Sequence, residues 1–69
     1  MDRKELLAMI EAGPIIIRMN DGREYSVEHP REALVTDIAA YVMYRDEEDG
    51  KLRAMVLPLI TMSGVVPAA

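Results

Sequence analysis

Apolar positions along the chain change period at Gly13-Pro14. Before that point Leu6, Met9 and Ile10 recur at i, i+3 and i+4, with Leu7 widening the stripe, which predicts one amphipathic helix over residues 2–12. Asp2 is placed to cap its first turn, and Glu5 completes a capping-box-like pair. Gly13 supplies a left-handed stop, and Pro14 forbids continuation. Three turns of helix are marginal alone, so the helix must dock.

Beyond Pro14 the pattern is that of strands. Ile15, Ile16, Ile17 and Met19 form a run with β-branched character, and Asn20-Asp21-Gly22 is a tight-turn signal. Tyr25 and Val27 then alternate against Glu24, Ser26 and Glu28, so residues 14–19 and 23–29 predict an antiparallel hairpin with one wet face. His29-Pro30 ends the second strand, and residues 30–34 fit a single helical turn with Pro at its first position. The third strand is expected over residues 35–45. Ile38, Ala40, Val42 and Tyr44 fall on one face, with Ala39, Tyr41 and Met43 on the other. Apolar on both faces, it must be either central and covered twice or bent between two half-sheets. A turn at 46–50 leads to a fourth strand over 51–57. Pro58 predicts a break or a short 3₁₀ turn, and a fifth strand follows at about 59–63. Residues 65–69 read as a frayed or docked tail.

One helix and five strands in 69 residues predict a single, mainly β domain: a strongly bent antiparallel small barrel, with a helix on an open meander as the competing architecture. Composition adds constraints. Small domains have thin cores and need a staple. With no Cys and one His, disulfides and the usual zinc clusters are excluded, leaving tight packing or oligomerisation. No apolar run reaches the length of a membrane span, and Met1-Asp2-Arg3-Lys4-Glu5 does not read as a secretory signal, so a cytoplasmic location without membrane contact is expected.

Net charge is −4, and Asp46, Glu47, Glu48 and Asp49 account for all of it. The tetrad reads as a solvated hairpin tip. It fails the calcium-loop template, because no Glu closes a 12-residue loop after Gly50. Elsewhere cations and acids balance: Arg18, Arg23, Arg31, Arg45 and Arg53 each have acids nearby, which argues against nucleic-acid binding.

The stretch Asp21-Gly22-Arg23-Glu24-Tyr25-Ser26-Val27-Glu28-His29-Pro30, behind an N-terminal helix, resembles a family of small uncharacterised bacterial proteins with Asp-Gly-Arg, an aromatic, an aliphatic and His-Pro in that order. That resemblance implies a fold and no assigned activity. The order of helix and strands is also similar to the Sm-like and SH3-like small barrels, and Gly22-Arg23-Glu24-Tyr25 matches the Gly-x-x-Tyr/Phe hairpin of the Sm group. Val27 stands where the Sm pattern has a glycine. His29, Pro30 and Arg31 stand where its Asp-x-x-Met-Asn uridine loop would lie. The Sm likeness therefore implies layout more than RNA binding.

Chemistry-bearing residues are few. His29 would need an orienting carboxylate and a nucleophile to act as a base; Glu28 and Glu32 are near, but Ser26 and Ser63 have no motif context. A structural role at the strand end is expected, with ligand contact through His29 and Arg31 as the sharper alternative. No catalytic, cofactor or metal residue is assigned, and the chain is not expected to be an enzyme. Six methionines and three tyrosines stand out. Met43 and Met55 are expected on the outer face with Tyr41, Arg45 and Arg53. Tyr41, Met43, Met55, Leu59 and Thr61 are thus the candidate interaction surface. Residues 59–62 carry no charge and are expected to offer a free edge for a homodimer. The sequence predicts a non-catalytic module for protein–protein interaction or self-assembly, with Sm-like RNA binding as the alternative.

Overall fold

A computed structural model describes residues 1–68. Helix α1 (Arg3–Ala12) begins at Asp2, whose carboxylate accepts a hydrogen bond from the Glu5 N–H at 3.2 Å. Gly13 ends it, but not in the left-handed helical conformation expected from the sequence. Its φ of 144° and ψ of −173° lie in a region that only glycine enters readily. The stop signal is the same; the geometry sends the chain straight into a strand.

That strand, β1 (Ile15–Met19), pairs antiparallel with β2 (Glu24–Val27), with Ile16 opposite Ser26 and Ile17 opposite Tyr25. Between them Gly22 takes φ 90°, and the Asp21 carboxylate accepts from the Arg23 N–H at 2.9 Å. The Asp-Gly pair makes the turn because Gly22 adopts the positive φ and Asp21 ties off the backbone beside it.

The region expected to be one long strand is two. A 3₁₀ turn (Pro30–Glu32) leads to β3 (Ala33–Val35), so residues 33–34, expected in a helical turn, are extended. The chain then turns at Thr36-Asp37-Ile38. The Thr36 hydroxyl donates to the Ala39 carbonyl at 3.1 Å and accepts from the Ala39 N–H at 3.1 Å, closing a local loop. Strand β4 (Ala39–Arg45) starts only after it, and β5 (Leu52–Pro58) returns antiparallel alongside. Pro58 does interrupt this run, and a second 3₁₀ turn (Leu59–Thr61) follows. The last strand, β6 (Met62–Pro67), therefore begins later than expected and takes in most of the supposed tail. It pairs with β1, with a register shift at Arg18/Met19.

Among the described residues there are six strands rather than five, in two three-stranded antiparallel sheets of order β2-β1-β6 and β3-β4-β5, and no closed barrel. The chain passes between the sheets twice, at the two 3₁₀ turns. A proline sits at each crossing, Pro30 within the first turn and Pro58 just before the second. Proline has no N–H to give a ladder, so each of the two ends a strand, as the sequence predicted.

The inner faces meet in one core. Ile15, Ile17 and Val27 of the first sheet face Val35, Ala40, Val42 and Leu57 of the second, and Leu6 and Ile10 of α1 are buried in the same cluster. No helix among the described residues is long and apolar enough to cross a membrane.

Candidate interaction surface

Strand alternation gives each sheet an outer face, and the two differ in chemistry. On the first sheet, Ile16 and Val66 share the face with Arg18, Glu24 and Ser26, and the Arg18 guanidinium bonds the Glu24 carboxylate at 2.7 Å. That face carries its own polar cover. On the second sheet the register sets Leu34 opposite Tyr41, and Tyr41 opposite Val56, making one unbroken apolar row across three strands. Met43 with Ala54, then Arg45 with Leu52, form the next rows toward the hairpin tip. Leu34 is 66% exposed, Leu52 57% and Val56 56%, with Tyr41 and Met43 exposed beside them. The charge on this face, Arg45, turns its guanidinium onto the Gly50 carbonyl.

The structure thus puts Tyr41 and Met43 on the outer side, where the sequence placed them. Met55 is a correction. It stands opposite Val42 on the inner face, half-buried against the core. The outward face of β5 belongs to Leu52, Ala54 and Val56, and Arg53 shares the inner side with Met55. Arg53 tolerates that side because it lies beyond the core, beside the turn. There its guanidinium bonds Asp46 at 3.1 Å and Asp49 at 2.6 Å. Two carboxylates of the acidic tetrad are therefore engaged in closing the hairpin, and each also accepts a backbone N–H within the turn.

Leu59 and Thr61 leave the candidate surface as well. Leu59 is buried in the core, and its carbonyl accepts from the Met1 amino group at 3.2 Å. Thr61 lies in the 3₁₀ turn with its hydroxyl on the Pro58 carbonyl, and its own carbonyl accepts from the Asn20 N–H. Residues 59–61 have no extended backbone to offer a neighbour; of the stretch 59–62 expected to form a free edge only Met62 is in a strand, at the start of β6, which is the edge of the first sheet.

His29 stands just before the first 3₁₀ turn and Arg31 within it, and both are exposed. The Glu32 carboxylate folds back to accept the N–H groups of Glu28 and His29 at 3.0 and 3.2 Å, which commits it to the backbone. Arg31 lines a shallow hollow together with Leu34, Tyr41 and Met43, which joins it to the apolar face.

Leu34, Leu52 and Val56 were missed by the sequence. A signal for the last two was present: they alternate correctly along residues 51–57, but the charge on Arg53 suggested the opposite facing. No family model, curated protein or solved structure matches the chain.

Proposed function

We propose that the protein is a non-catalytic interaction module that uses the outer face of the β3-β4-β5 sheet to bind an apolar, uncharged protein surface. The carrying observation is the Leu34–Tyr41–Val56 row, continuous across three strands and open to solvent. Scattered exposed apolar residues are ordinary on any protein; a contiguous apolar sheet face is the mark of a contact surface. A catalytic role for His29 has little support, since the carboxylate of Glu32 already serves two backbone donors.

If the face works in binding and not in folding, its side chains contribute little to the stability of the isolated chain. Val56→Lys or Leu34→Glu, measured by urea unfolding at low concentration, should then change stability by no more than about 0.5 kcal/mol. A loss of several kcal/mol would mean that the face is part of the folded core, and would sink the proposal.

RNA binding is the second reading, favoured by the cation Arg31 beside the aromatic Tyr41 in one hollow. Against it, Arg3, Arg18, Arg23 and Arg53 are drawn into ion pairs with carboxylates. Anisotropy titration with poly-U at physiological salt should show no binding tighter than roughly micromolar, for want of clustered free cations. Tight, salt-sensitive binding lost in Tyr41→Ala would install the RNA reading instead.

A further inference from the structure

Resting on that reading, we infer that the surface bound is the same face of a second copy, in a two-fold dimer whose axis runs across the strands. Strand β4 is apolar on both faces and central in its sheet, yet the chain covers only one side of it. An apolar sheet face can be covered by another sheet face at the spacing of stacked sheets, about 10 Å. The chain presents such a surface itself, and a two-fold pairing makes it self-complementary.

Area fits this occupant. The exposed parts of Leu34, Tyr41, Met43, Leu52 and Val56 amount to something on the order of 500 Å². Face-to-face pairing would remove about 1,000 Å² in all, the lower bound of a specific interface. A staple is also wanted: the chain is 69 residues long, has no cysteine, and shows no cluster of metal-ligating side chains among the described residues.

Charge selects the orientation. At the tip of the β4-β5 hairpin Arg53 pairs with Asp46 and Asp49, which leaves Glu47 and Glu48 as the acids of that end outside any ion pair among the described residues. An axis along the strands would stack the two tips together, and like charges there repel. An axis across the strands reverses one copy and sends the tips, with the Arg45–Leu52 rows beside them, to opposite ends.

Sedimentation equilibrium from low to high micromolar concentration tests the pairing. The unmodified chain should approach twice its mass at the upper end. Val56→Lys and Leu34→Glu should stay at one chain mass with unchanged circular dichroism. A dimer that persists in both variants overturns the inference. A monomeric unmodified chain also overturns it, and the poly-U titration then separates the cases: no RNA binding removes self-docking alone, whereas binding through Tyr41 removes the protein-binding reading too. Orientation is read from a spin label on Glu48→Cys, the chain's sole cysteine. At about 3.3 Å per residue, Glu48 lies roughly 20 Å from Tyr41, so opposed tips put the labels about 40 Å apart. A separation near 15 Å would mean stacked tips and would refute the axis.

Discussion

Deleting residues 1–12 should abolish cooperative unfolding altogether. The helix has no independent stability at this length, and its contribution is what it buries. Leu6 is 0% exposed and Ile10 nearly so, while Met1, Leu7 and Met9 pack partly against the same core. Full burial of one such side chain is worth about 1.5–3 kcal/mol, so Leu6 and Ile10 alone supply roughly 3–6 kcal/mol. A domain of this size is stable by about 3–10 kcal/mol in total. The truncated chain would also expose Leu59 and lose the Met1–Leu59 hydrogen bond. Urea titration followed by circular dichroism should give a broad, shallow curve. A sigmoidal transition at the midpoint of the intact chain would show that the helix is not docked.

Val42→Asp should be as damaging, and its contrast with Val56→Lys is the more informative result. Val42 is 1% exposed at the centre of the inner face of β4; Val56 stands on the outer face of the neighbouring strand, opposite Tyr41. An aspartate at 42 would bury a charge with no cation facing it from the core cluster, whose members are all apolar. Such a group is several kcal/mol unfavourable even after relaxation, enough to exhaust the stability of so small a domain. Loss of dispersed amide signals in the NMR spectrum of Val42→Asp is expected, with the spectrum of Val56→Lys as well dispersed as that of the unmodified chain. A folded Val42→Asp would contradict the assignment of inner and outer faces.

How much of this was legible in the sequence depended on the range of the interactions involved. The helix and the first hairpin are specified within a few residues, by Asp2, the Leu6/Met9/Ile10 spacing and Asp21-Gly22, and they stand where the pattern put them. The break between β3 and β4 was hidden because Thr36 is a good strand residue by propensity. Its hydroxyl instead bonds both backbone groups of Ala39, a local competition that hydrophobic period does not reveal. The mixed chemistry of β5 misled in a different way. Alternation separated Leu52, Ala54 and Val56 from Arg53 and Met55 correctly, but it cannot say which set faces the core. That choice was made by β4, whose buried Ala40 and Val42 pair with Leu57 and Met55. The sequence did contain the clue that β4 is apolar on both sides and needs two covers. It could not say that the chain itself provides only one.

The most direct test of that uncovered face is methyl NMR of the unmodified protein over a concentration series. The methyl signals of Leu34, Met43, Leu52 and Val56 should shift or broaden together as concentration rises. Those of Ile38 and Ile60, more exposed still and beside Met1 and Asp37 at the end of the β4-β5 hairpin away from its tip, should stay fixed. Movement confined to Ile38 and Ile60, or no movement at any of these methyls up to high micromolar concentration, would contradict a working surface on the β3-β4-β5 sheet that pairs with its own copy.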